Sequence, residues 1–182
     1  MNLPNIITIV RILLIPVFVV IFLMANSWSY LAAATLFALA AATDWLDGYL
    51  ARKLNQTTPF GAFIDPVADK LIVVSALVIL IAHHNSIWLT LPSLVIIGRE
   101  IVISALREWM AETGKGAHMA VSYIGKVKTT MQMGSIVFLL ATPPGTLIAS
   151  LGLIMLYAAA ALTLWSMMLY LSAAWTQLKK DM

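Results

Sequence analysis

The sequence predicts an all-α, polytopic membrane protein of six transmembrane helices with both termini cytoplasmic, and three observations predict it. Of 182 residues, 62% are hydrophobic and only 10% are charged, with a mean hydropathy of +0.94. A soluble domain carries about a quarter charged residues to cover its outside. The charges are bunched, which leaves charge-free runs of roughly the 20 residues that a membrane-spanning helix needs. Segments between those runs alternate between carrying Lys or Arg and carrying neither, the bias of a chain that crosses repeatedly. About five to seven crossings fill a chain of this length, so residues 1–182 are expected to form a single membrane domain with no separate soluble part. The first apolar run continues too far past Arg11 for a cleaved secretory signal and is expected to stay. With no cysteine, disulfides, thiolate metal sites and a Cys nucleophile are excluded, and a metal must use oxygen or histidine.

The first helix is expected from about Pro4 to Met24, with Pro4 suited to a first turn, and Asn26-Ser27 breaks the run. The second runs from about Trp28 to Arg52 and ends at the turn Asn55-Gln56-Thr57-Thr58-Pro59. The third spans about Phe60 to Ala82, and His83-His84-Asn85-Ser86 forms the next break. The fourth covers about Ile87 to Ala111 and is followed by the Thr113-Gly114-Lys115-Gly116 loop. The fifth covers about Val121 to Ala141, and Pro143-Pro144-Gly145 is the last turn. The sixth, from about Thr146 to Leu178, exceeds a perpendicular crossing and should tilt or emerge before Lys179-Lys180. Loops near Asn26, His83 and Pro143 lack Lys and Arg, whereas those near Arg52-Lys53 and Lys115, and the Lys179-Lys180 tail, contain them. The positive-inside bias puts the basic loops in the cytoplasm. Trp28, Tyr30, Trp88 and Trp175 fall near span ends, where amphipathic aromatics collect. His83, His84 and His118 are expected as loop or interface residues.

Four of the eight acidic residues, Asp44, Asp47, Asp65 and Asp69, lie within one 26-residue stretch. Asp44 and Asp47 are i and i+3, Asp65 and Asp69 are i and i+4, and each pair shares a helix face. The hairpin between the second and third helices brings Asp47 and Asp65 level. From Trp28 to Asp44 a helix rises about 24 Å, which puts the carboxylates at the cytoplasmic margin of a hydrocarbon core about 30 Å thick, the depth of a lipid headgroup. Four like charges in one space repel unless a cation or proton sits between them. A divalent metal is the simplest answer, and an all-oxygen set favours Mg²⁺, Mn²⁺ or Ca²⁺ over Zn²⁺. The plainer alternative is that the aspartates are solvated or paired with Arg52, Lys53 and Lys70. Gly48, Ala51 and Gly61 leave room near this crossing for a close backbone approach or a ligand phosphate.

The run Asp44-x-x-Asp47-Gly48-x-x-Ala51-Arg52, then eight residues to Gly61, three to Asp65 and three more to Asp69, resembles the signature of the CDP-alcohol phosphatidyltransferases at all eight fixed positions. The resemblance implies a membrane enzyme that transfers the phosphatidyl group of CDP-diacylglycerol to an acceptor hydroxyl and releases CMP. It implies Asp44, Asp47 and Asp65 as ligands of Mg²⁺ or Mn²⁺ on the pyrophosphate, with Asp69 contributing to the metals and serving as general base. It puts Gly48, Ala51, Arg52 and Gly61 against the cytidine diphosphate part. Asn5, Thr8 and Arg11, three apart on one face of the first helix, resemble the family's further nucleotide contacts. Capping or lining by Asn5 and Thr8, and snorkelling by Arg11 to the interface, is the alternative there.

The acceptor is argued from the fourth and fifth helices. Arg99 and Arg107 lie eight residues apart on one face, with Glu100 and Glu108 in an adjacent stripe. Arg99 lies about 18 Å along its helix from Ile87, too deep to face lipid, and should point into the bundle. Lys126 and Lys128 enter from the same side. Such a cluster suits the phosphate of an acceptor, which Arg grips with paired hydrogen bonds; a structural Arg–Glu network is the competing reading. A basic pocket disfavours choline and serine. The Gly98-Arg99-Glu100 run with Arg107-Glu108 most resembles members of the family, found in the bacterial cytoplasmic (inner) membrane, whose acceptor is sn-glycerol 3-phosphate. Inositol phosphate or phosphatidylglycerol is the runner-up acceptor, and a small cation transporter is the reading from another class. Membrane lipids are expected as partners and nucleic acid is not. The family implies a homodimer, but no surface in the sequence marks it.

Overall fold

The computed structural model describes residues 3–53, 58–112 and 123–178, with side chains described for these except at 3, 4, 44–53, 107, 111, 123–126 and 173–178. Asp44, Asp47, Gly48, Ala51, Arg52, Arg107 and Lys126 thus lie on described helices, while their side chains, like those of Lys115, His118 and Trp175, lie outside the described residues. Six helices follow one another: α1 (Leu3–Leu23), α2 (Ser27–Lys53), α3 (Pro59–His84), α4 (Ile87–Glu112), α5 (Tyr123–Ala141) and α6 (Leu147–Leu178). Among the described residues there is no strand. The protein is an all-α, polytopic membrane protein.

Helix ends fall where the chain offers local partners for orphaned backbone groups. Thr58 caps α3 by accepting the Gly61 N–H at 3.0 Å, with Pro59 opening the helix,. Asn85 closes α3 in the left-handed conformation, φ 44° and ψ 45°, its N–H bonded to the Ile81 carbonyl, as short polar residues allow. Thr146 caps α6 by accepting the Ala149 N–H at 3.2 Å, just after Gly145 turns the chain at φ +86°.

His83 and His84 lie on a helix and not in the break expected there. They belong to the last turn of α3, because the αL cap falls at Asn85. The His83 ring packs edge-on to Phe22 at 5.1 Å and lies 3.1 Å from the Tyr30 hydroxyl. Tyr30 is therefore half-buried against α3, whereas Trp28 and Trp88 are exposed. Burial and the adjoining His83 push the His84 imidazole below its ordinary range,.

Among the described residues, three stretches are long and apolar enough to cross a bilayer, Asn5–Leu23, Ile87–Met110 and Leu147–Ser172, with shorter apolar helices at Ser27–Thr43 and Val127–Ala141. Large apolar side chains cover the perimeter: Leu13, Val20, Leu31, Ile101, Leu147 and Ile154 are all exposed, a surface that only lipid satisfies. Hydroxyls within the helices bond back to carbonyls four residues earlier, as Thr35 does to Leu31 and Ser93 to Leu89,. Inside, Phe18, Phe22, Phe37, Leu77, Leu80, Ile136, Leu140 and Leu156 form the core. The antiparallel α5–α6 pair packs tightly at Gly152, whose carbonyl accepts from Ser135 Oγ at 2.7 Å and where a Cβ would meet Leu139 at 3.0 Å,.

Candidate active site

Three side-chain contacts set α1 parallel to α3 in one register. Asn5 Nδ2 donates to Thr58 Oγ1 at 3.0 Å, and the Thr58 hydroxyl lies 3.1 Å from Asn5 Oδ1. Thr8 Oγ1 donates to Asp65 Oδ1 at 2.6 Å, and Arg11 Nη1 donates to Asp69 Oδ1 at 2.6 Å. The three α1 residues repeat every three positions and the two carboxylates are four apart, so one face of α1 meets one face of α3. Thr8 is 0% exposed and Arg11 is 1% exposed. Arg11 therefore does not snorkel: a cation so desolvated needs a carboxylate, and Asp69, its side chain 42% exposed, supplies one while facing the open side. Gly61 lets Asn5 in, since a Cβ there would sit 2.7 Å from Asn5 Oδ1. The space at this small residue is taken by a side chain of α1, which is neither the close backbone approach nor the ligand phosphate expected there.

The α2–α3 hairpin relates these carboxylates to the α2 pair at the level of the backbone. Tyr30 of α2 meets His83 of α3 at the far end. Seventeen residues onward in α2 (30 to 47) and seventeen back in α3 (83 to 66) put the Asp47 backbone at about the level of Pro66 along the helix axes, because both helices rise about 1.5 Å per residue. Pro66 removes an N–H from the α3 ladder next to Asp65,. Among the described residues no three His, Asp or Glu side chains gather to hold a metal, a set that does not include Asp44 or Asp47. Asp65 and Asp69 on one face, with Asp65 Oδ1 taken by Thr8 and its partner oxygen directed elsewhere, form the start of an oxygen-only donor set, which fits a hard divalent cation,.

A second polar group joins α4, α5 and α6. Arg99 Nη1 donates to Glu100 Oε1 at 2.9 Å, Lys128 Nζ approaches the same oxygen at 3.4 Å, and Arg99 Nη2 reaches Ser166 Oγ at 3.4 Å. Ser166 Oγ in turn donates to the Thr163 carbonyl at 2.9 Å. The Arg99 side chain is 10% exposed and that of Lys128 is 6% exposed. Arg99 faces the bundle, as its depth requires, and Lys128 is no mere topology signal. Two cations share one carboxylate here, and Arg99 Nε and Thr163 Oγ1 are buried with no hydrogen-bond partner. Arg99 Nε is a donor in reserve, suited to an anion,. Ser166 and Thr163 escaped sequence reasoning, because a hydroxyl in an apolar helix usually bonds to its own backbone. Gln132, buried one turn beyond Lys128, escaped for the same lack of signal.

A lipid-embedded helical bundle with carboxylates on α3 bonded to α1 and a buried basic group joining α4, α5 and α6 belongs to the class of membrane proteins that handle charged groups. The model of the CDP-alcohol phosphatidyltransferase family matches residues 1–165, and the chain belongs to that family. Its members are transferases that generally depend on divalent metal. A Pseudomonas fluorescens protein named CDP-diacylglycerol–glycerol-3-phosphate 3-phosphatidyltransferase is 58% identical over 100% of this chain and 94% of its own length. Proteins of the same name from Escherichia coli K12 and Shigella flexneri serotype 5b are each 54% identical over 95% of this chain and 94% of theirs.

Proposed function

We propose that this protein transfers the phosphatidyl group of CDP-diacylglycerol to sn-glycerol 3-phosphate, giving phosphatidylglycerophosphate and CMP, at the cytoplasmic face of a bacterial inner membrane. The names of relatives that match nearly the whole chain support the acceptor. The observation that carries it physically is the buried Arg99–Glu100–Lys128 group, with two cations on one carboxylate. A phosphate oxygen would satisfy the unpartnered Arg99 Nε,, and Arg107 and Lys126 lie on the same two helices. The alternation of basic and non-basic loops supports the cytoplasmic side for the site and both termini.

Asp44, Asp47, Asp65 and Asp69 are the residues that would hold Mg²⁺ or Mn²⁺. When bound, the cation neutralises charge on the pyrophosphate as CMP leaves. Gly48, Ala51, Arg52 and Gly61, with Asn5, Thr8 and Arg11 from α1, surround the cytidine diphosphate end. Asp69 accepts the proton of the acceptor's 1-hydroxyl as that oxygen bonds to the phosphorus carrying the diacylglycerol and the bond to the CMP phosphate breaks. Arg99 and Lys128, with Arg107 and Lys126, hold the acceptor's phosphate and so aim that hydroxyl.

An acceptor panel tests the reading. Purified protein with CDP-diacylglycerol and Mg²⁺ or Mn²⁺ should release CMP rapidly with glycerol 3-phosphate, and very poorly with glycerol, inositol phosphate, phosphatidylglycerol or serine. Preference for any of those four would overturn the acceptor assignment.

A further inference from the structure

Thr8 is buried completely, and its hydroxyl donates to Asp65 Oδ1 at 2.6 Å. A hydrogen bond that short to a carboxylate is of the strong, charge-assisted kind. It takes one Asp65 oxygen and, with the α1 backbone as its base, fixes the rotation of the carboxylate plane, so the other oxygen has one direction in which to offer its lone pairs. The position of Thr8 is itself pinned from both sides along α1: Asn5 is bonded to the Thr58 cap of α3 one turn before it, and Arg11 to Asp69 one turn after it. Each step on α1 thus has its counterpart on α3. We infer that Thr8 is a positioning residue for the metal, acting through Asp65 by holding that carboxylate in its ligating orientation. The inference rests on the proposed reading of Asp65 as a metal ligand.

Partners that orient ligating carboxylates typically govern metal affinity by roughly 10- to 100-fold. Thr8→Val keeps the shape and removes the hydroxyl, Thr8→Ala removes it with a smaller side chain, and Thr8→Ser keeps it. Two measurements are made on the full-length protein in detergent with Mn²⁺ as the probe: direct Mn²⁺ binding by electron paramagnetic resonance, and the Mn²⁺ concentration giving half-maximal CMP release. Both constants should rise at least about fivefold in Thr8→Val and Thr8→Ala. They should return to within about threefold of wild type in Thr8→Ser. Thermal melts in detergent identify which of the two deletion variants is folded, and either one suffices. A smaller rise in a folded deletion variant, failure of Thr8→Ser to rescue, or a raised KM for CDP-diacylglycerol with unaltered Mn²⁺ affinity would overturn the inference. Asp65→Asn separates the two levels of the argument. If it binds Mn²⁺ as wild type does, the reading of Asp65 itself fails; if it loses Mn²⁺ while Thr8→Val does not, only the role of Thr8 fails.

Discussion

A Cβ on Gly61 would meet Asn5 Oδ1 at 2.7 Å and Thr58 Oγ1 at 3.2 Å, so alanine there must displace the Asn5 amide from the α3 cap. Overpacking of this kind costs about 1 to 3 kcal/mol. Gly61→Ala should therefore lower the melting temperature in detergent, and its cost should shrink in an Asn5→Ala background, where the obstructing amide is gone. Equal cost in both backgrounds would show that the clash lies elsewhere. The signature aspartates were legible in the sequence because carboxylates in an apolar chain need a reason to be there. Their immediate partners were not. Asn5, Thr8 and Arg11 are evenly spaced on one face, but only the register of α1 on α3 decides that Thr8 meets Asp65 and Arg11 meets Asp69. That register depends on contacts more than fifty residues apart in sequence, which no local pattern encodes.

Among the helices, α4, α5 and α6 each bring one part of the basic pocket: Arg99 with Glu100, Lys128, and Ser166. If the pocket holds the acceptor's phosphate, Arg99→Lys keeps the charge but loses the planar fork. The KM for glycerol 3-phosphate should then rise by a factor corresponding to about 1.5 to 3 kcal/mol, while the KM for CDP-diacylglycerol stays within error. A structural Arg–Glu network would give the opposite pattern, a lower melting temperature with both KM values unchanged. The helix ends that fall inside the described residues, at Leu23, Ser27, Pro59, His84, Ile87, Ala141 and Leu147, were readable to within two residues, because the apolar runs stop at residues that cap or turn, such as Thr58, Asn85 and Gly145. The end of α3 was misjudged by two residues. Two histidines resemble a loop when read one by one, but the left-handed cap follows them at Asn85, and His83 has Phe22 and Tyr30 to pack against. The contribution of α6 was invisible, since Ser166 sits in a helix that is apolar along its length and offers no polar stripe to mark a face.

Across the whole molecule, polarity is segregated along the helix axes. The far end closes on an aromatic and histidine cluster, Phe22, Tyr30 and His83, while the carboxylates and the Arg11 counter-ion gather toward the starts of α1 and α3. Apolar residues wrap the perimeter between them. Such a distribution serves a reaction in which one substrate is a lipid and the other is soluble, since both must meet at one interface. It serves ion passage poorly, which would need polar groups through the full depth. The most direct test of this account is a count of products from purified protein in proteoliposomes containing CDP-diacylglycerol, supplied with Mn²⁺ and radiolabelled glycerol 3-phosphate. The account predicts one CMP released for each label entering the lipid, and neither product from Asp65→Asn. Label entering lipid without CMP, or wild-type rates from Asp65→Asn, would contradict it.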